Sequence, residues 1–168
     1  THEQYCFHTG SKGTPVGLKI SREADVVLAL GTRFADETTC SYRKGAAFNF
    51  PDTKLIHIDA AASEIGKNYA ADVGIIADIR DAIAQILKAS PQFDINEAYL
   101  EEMRGLRREW FAYLADIRSR QTGNVTISQL VGIMNETLPD DTIISTSSGN
   151  TQAQLFQEYC YKQPYCNL

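Results

Sequence analysis

Residues 23–36 read EADVVLALGTRFAD, and the run from Val26 to Leu30 inside them contains no polar position. A strand with one wet face alternates polar and apolar residues. A strand apolar throughout is expected to be covered on both faces, as in a parallel sheet sandwiched between helices. Two further segments join it, KLIHID at 54–59 and VGIIAD at 73–78. An irregular stretch, 31–52, ends in Pro51-Asp52 and separates the first two, and a short turn, ASEIGKNY, separates the second and third. IRDAIAQILKAS then places Ile79, Ile83, Ile86 and Leu87 on one face of a helix. Strand, connection, strand, connection, strand, helix at this rhythm specifies an α/β fold with a Rossmann-like parallel sheet flanked by helices.

The flanks extend this grammar. Residues 1–14 read as loop, with Gly10 and Gly13 in HTGSKGT. Pro15 suits a first helical position and opens PVGLKISREA, with Val16, Leu18 and Ile20 as packing residues. Ser90-Pro91 breaks the pattern, and residues 96–120 form a longer helix striped by Leu100, Met103, Leu106, Trp110, Tyr113 and Ile117. After the turn signal QTGN the α/β pattern restarts: helix TISQLVGIMNETL, strand TIIST, the link SSGN and helix TQAQLFQEYC. The expected division is a Rossmann-like domain over 1–90, a helical linker over 91–122, and the beginning of a second α/β domain over 123–168.

Composition removes several classes of function. The net charge of −5 provides no basic footprint for nucleic acid. No apolar run approaches the roughly 20 residues of a membrane span. Cys6, Cys40, Cys160 and Cys166 form no C-x-x-C and no metal-ligand spacing with His2, His8 or His57, which fits reduced thiols in the cytoplasm. A Cys160–Cys166 bridge stays open.

Ligands of open parallel sheets bind beyond the carboxyl ends of the strands. Here those ends are Gly31, Asp59 and Asp78. Gly31 either admits a ligand to the backbone or serves only a turn. Arg33 either meets a phosphate with its planar fork of donors or pairs with Asp36. Asp59 and Asp78 either accept hydrogen bonds from a nucleotide or cap the elements that follow. His57, mid-strand, reads as a core residue. No G-x-G-x-x-G is present, so no NAD fingerprint is claimed. A non-catalytic nucleotide-binding module is therefore the alternative to an enzyme.

The order of the pieces is more specific than any one of them. GSKGT, then EADVVLALGTRF, KLIHID, EIGKN and GIIAD resembles the central domain of thiamine-diphosphate-dependent enzymes, and within them the acetolactate synthase large-subunit group. LPDDTIISTSSGNTQ resembles the start of that family's diphosphate-binding domain. The resemblance spans residues 8–155. It implies a fragment of a homo-oligomeric enzyme, dimer or tetramer, that makes or breaks carbon–carbon bonds of 2-oxo acids with thiamine diphosphate and Mg2+. The remaining parts of the parent chain are its implied partners. Central domains of this family hold FAD, ADP or nothing. The matching cofactor positions are Gly10, Ser11, Lys12 and Gly13; Gly31, Thr32 and Arg33; Asp59; Ala77 and Asp78; and, for the diphosphate, Ser148, Gly149, Asn150 and Thr151. No catalytic residue and no metal ligand is assigned.

The family's ring-activating glutamate and its metal-binding stretch have no counterpart in these motifs. The 168-residue chain is accordingly expected to be inactive when mixed with pyruvate, thiamine diphosphate and Mg2+. Acetolactate formation above a heat-killed control is the contrary result.

Overall fold

A computed structural model describes residues 2–89, 94, 96–121, 123–164 and 166. The backbone gathers into two compact units. One contains Thr9–Gly13 and Gly17–Glu97, the other Thr1–His8, Thr14–Val16 and Ala98–Leu168.

The first unit is built on a three-stranded sheet, β1 (Val26–Leu30), β2 (Lys54–Asp59) and β3 (Val73–Ile76), in the order β1-β2-β3. Both pairings are parallel, as expected. Leu30 lies beside Ile58, and Ile58 beside Ile75. Helix α1 (Pro15–Glu23) precedes the sheet, and α2 (Ile79–Ala89) follows it and lies against β2. Asp72 reinforces the start of β2: its carboxylate accepts from the Leu55 N–H at 2.9 Å and from Lys54 Nζ at 3.0 Å. These bonds hold the Asp72 carboxyl below its usual pKa.

The two faces of the sheet differ. Val27, Ala29 and Leu55 on one face pack with Phe34, Phe48, Phe50, Tyr69 and Ala71. Phe34 is the hub, with edge-on contacts to Phe48, Phe50, His57 and Tyr69 at centroid distances of 5.4–5.9 Å. The opposite face departs from the expected double cover. Val26, Leu28, Val73 and Ile75 stand exposed on it, while Ile58 in the central strand is buried. The apolar stripe of α2 is likewise open at Ile83, Ile86 and Leu87. Helix α2 lies against β2, while Val26, Leu28, Val73 and Ile75 of the flanking strands stay exposed, so apolarity alone did not report cover.

In the second unit are α3 (Glu97–Ser119), α4 (Ile127–Thr137) and α5 (Asn150–Glu158), which bury Met103, Trp110, Leu114, Val131 and Leu155, and α4 packs against α5. Thr126 starts α4 with a capping box: its hydroxyl accepts from the Gln129 N–H, and the Gln129 side chain accepts from the Thr126 N–H. Glu158 is buried and joins all three helices. It accepts from Arg118 at 3.0 Å, Gln154 at 2.8 Å and the Ser128 hydroxyl. Removing one partner of such a buried pair typically costs about 3–5 kcal/mol. Of the expected strand TIIST, the described residues show a single bridge position, Ile144, whose N–H donates to the Cys166 carbonyl at 2.9 Å. The four cysteines are free thiols. No helix among the described residues is long and apolar enough to cross a membrane.

Leu55→Ala is expected to cost about 2–5 kcal/mol, because its side chain is wholly enclosed. Leu87→Ala, at a position 69% exposed, is expected to change stability by less than about 0.5 kcal/mol. Urea unfolding of the two variants separates them, and equal midpoints would contradict the one-sided packing.

Candidate functional site

Parallel strands end on one edge, and three of the marked positions leave the sheet there. The Gly31 N–H donates to the Ile58 carbonyl at 2.9 Å, and the Ala77 N–H to the Asp59 carbonyl at 3.1 Å. The loop Thr9–Gly13 docks on the segment that follows β1. The Ser11 N–H donates to the Glu37 carbonyl at 2.7 Å, and Lys12 pairs with the Glu37 carboxylate at 3.3 Å. Gly10 permits this approach: its φ is +92°, and a Cβ there would lie 2.5 Å from the Glu37 carbonyl oxygen. The structure thus brings Gly10–Gly13, Gly31–Arg33, Asp59 and Asp78 into one unit, whereas Ser148–Thr151 belong to the other.

The turn Gly31–Phe34 carries the distinctive chemistry. Gly31 has φ +59° and Phe34 φ +47°. The Thr32 hydroxyl accepts from the Phe34 N–H at 3.2 Å. The Thr32 carbonyl accepts from His57 Nε2 at 2.9 Å, which fixes the ring's proton on Nε2. His57 is a core residue, as expected, with Nδ1 buried and unbonded among the described residues. Asn68 Nδ2 donates to the Arg33 carbonyl at 2.9 Å and the Phe34 carbonyl at 3.2 Å. Three successive carbonyls are therefore occupied. The N–H groups of Thr32 and Arg33 and the Arg33 guanidinium have no acceptor among the described residues. Arg33 does not pair with Asp36. The turn is left with three donor groups against one unoccupied carbonyl, that of Gly31, among the described residues.

The aspartates divide their work. Asp78 caps α2, its Oδ1 accepting from the Arg80 N–H at 2.8 Å. Asp59 is buried and its Oδ1 accepts from the Ala61 N–H at 2.8 Å, while Oδ2 has no donor among the described residues. In the second unit, Ser148, Gly149, Asn150 and Thr151 are exposed at the start of α5, and Gly149 stands at the N-cap with no side-chain cap. No cluster of three or more His, Cys, Asp or Glu suited to a metal is present among the described residues. Asn68 and Glu37 were not marked as site residues by the sequence. Asn68 lies within EIGKN, but only the tertiary fold shows what its amide reaches, 34 and 35 residues away.

Comparison with known proteins supplies the context. The family model "Thiamine pyrophosphate enzyme, central domain" matches residues 1–86. The acetolactate synthase of Mycobacterium avium is 27% identical over 98% of this chain and 26% of its own length. The probable acetolactate synthase large subunit of Methanocaldococcus jannaschii is 30% identical over 92% of the chain and 26% of its own. Acetolactate synthase isozyme 3 large subunit of Escherichia coli is 31% identical over 72% and 20%, respectively. The chain spans about a quarter of the length of these relatives.

Two glycines test the geometry of the edge. Gly10→Ala sets a Cβ against backbone that cannot yield, and is expected to cost clearly more than about 1 kcal/mol. Gly31→Ala meets the terminal methyl of Ile79, which can rotate away, so its cost is the left-handed backbone alone, about 1 kcal/mol. Chemical denaturation should rank Gly10→Ala as the less stable, and the reverse order would show that the loop does not dock as described.

Proposed function

Because the chain belongs to the thiamine pyrophosphate enzymes, whose central domain it carries over residues 1–86, we propose that it is part of an acetolactate synthase-like enzyme acting on 2-oxo acids, and that its first unit binds a nucleotide, FAD or ADP. The observation that carries the nucleotide reading is the donor-rich segment Thr32–Arg33, whose own carbonyls are occupied, together with the uncommitted Oδ2 of Asp59. A diphosphate needs N–H donors and a guanidinium, and a ribose hydroxyl needs an acceptor. Both stand on the edge where open parallel sheets take ligands.

The chemistry of the residues also fits the family's own cofactor. In such enzymes thiamine diphosphate supplies the carbanion that attacks the keto carbon and the ring that accepts the electrons, while the protein binds and orients. At the start of α5, the N–H groups of Asn150, Thr151 and Gln152 have no acceptor among the described residues, and Gly149 crowds nothing. We read Ser148–Thr151 as the part of this chain that holds the diphosphate, and residues 123–168 as the start of the domain that does so. Mg2+ bound to that diphosphate, a homo-oligomeric assembly and a cytoplasmic setting complete the reading, as the family resemblance of the motifs implies. A stand-alone nucleotide module is the second reading. The LPDDTIISTSSGNTQ segment favours the enzyme, because such a module has no use for it.

Calorimetry with ADP and FAD, beginning at millimolar ligand, tests the nucleotide site. Arg33→Ala removes a charged donor and is expected to weaken binding by about 10- to 150-fold, the equivalent of about 1.5–3 kcal/mol. Equal binding by wild type and Arg33→Ala, or no heat with either nucleotide, would reduce Gly31–Arg33 to a turn.

A further inference from the structure

We infer that His57 and Asn68 are positioning residues that clamp the Gly31–Phe34 turn from two sides and so convert it into an anion-facing surface. A free turn exposes carbonyls and N–H groups alike, and exposed carbonyls repel an anion. Here His57 Nε2 draws in the Thr32 carbonyl, and the Asn68 amide draws in those of Arg33 and Phe34. With these three acceptors engaged, the Thr32 N–H, the Arg33 N–H and the guanidinium outnumber the one carbonyl of the turn left without a donor among the described residues, that of Gly31.

The clamp has a rigid side and an exposed side. His57 is 1% exposed, sits mid-strand in β2, and is packed edge-on against Phe34 at 5.4 Å. Its register partners Ala29 and Gly74 hold it on both sides. Burial of an imidazole whose Nδ1 finds no partner is unfavourable, and the bond made by Nε2 gives it a structural use. Asn68 lies at the surface, in the turn between β2 and β3, and closes the other side. Phe34 keeps its left-handed backbone under both constraints. Left-handed conformations of bulky residues persist where surrounding contacts over-determine them.

This inference rests on the nucleotide reading for its purpose but not for its geometry, and the test separates the two. Trypsin cleaves after exposed Arg33, at the bond whose carbonyl Asn68 holds. Four proteins are compared: wild type, His57→Leu, His57→Gln, which restores an N–H donor at similar reach, and Asn68→Ala, a surface change. Loss of one clamp bond is expected to raise cleavage after Arg33 about tenfold in His57→Leu and Asn68→Ala. Cleavage after Arg120 in the other unit should stay unchanged, and His57→Gln should return to within about threefold of wild type, given a bond of comparable strength. ADP affinity should fall in parallel, about tenfold, as the carbonyls are released. A wild-type cleavage rate after Arg33 in Asn68→Ala would overturn the clamp, as would His57→Gln cleaving like His57→Leu while cleavage after Arg120 stays unchanged. The expected cleavage pattern with no ADP binding by wild type would uphold the clamp and remove the nucleotide reading.

Discussion

The register that sets Leu30 beside Ile58 and Ile58 beside Ile75 is the constraint on which the rest of the first unit depends. In a parallel ladder every strand runs the same way, so every connection begins at one edge. Gly31, Asp59 and Ala77 start their loops there, joined by the bonds Gly31 to Ile58 and Ala77 to Asp59. A one-residue slip of β2 would turn His57 to the other face and separate its Nε2 from the Thr32 carbonyl. The ladder therefore sets both the location of the candidate site and the conformation of its central turn.

Packing around that ladder is asymmetric. Phe34 joins Phe48, Phe50, Tyr69 and His57 into an aromatic cluster that covers one face. The same residue ends the turn that carries Arg33, so burial of Phe34 and presentation of Arg33 are two consequences of one backbone conformation. A non-glycine residue at φ +47° costs on the order of 1 kcal/mol. Burial of the ring contributes more, roughly 1.5–3 kcal/mol for a fully enclosed Phe. The second unit relies on a polar joint: Glu158 and Arg118 tie helices whose apolar contacts alone leave Leu130 and Ile133 exposed.

Much of this was legible in the residues. Three parallel strands followed from apolar runs of strand length with long connections, and α2, α3, α4 and α5 followed from helical spacing. Asp78 as a cap was readable, since an aspartate directly before a helix meets free N–H groups. The reduction of TIIST to one bridge position among the described residues was not readable, because a strand extends only along a partner and β-branched residues cannot report how far one runs. Double cover of the sheet failed for a related reason: Val26 and Leu28 record an apolar preference, not the presence of a neighbour. Asn68 was invisible as a site residue because its bonds to Arg33 and Phe34 cross more than 30 positions of sequence.

By itself, then, the sequence determined the element types, the parallel sheet and the family, because hydrophobic period, turn residues and motif order are local properties that survive in a linear string. Tertiary structure decided which polar groups were spent and which were left. Arg33 could equally have paired with Asp36, and Asp59 could have used both oxygens on its own loop. Among the described residues, the fold left the guanidinium, the N–H groups of Thr32 and Arg33, the Gly31 carbonyl and one Asp59 carboxylate oxygen uncommitted. Those outcomes depend on bonds from His57 and Asn68 that form only once the strands are in register, and no pattern along the chain encodes them locally.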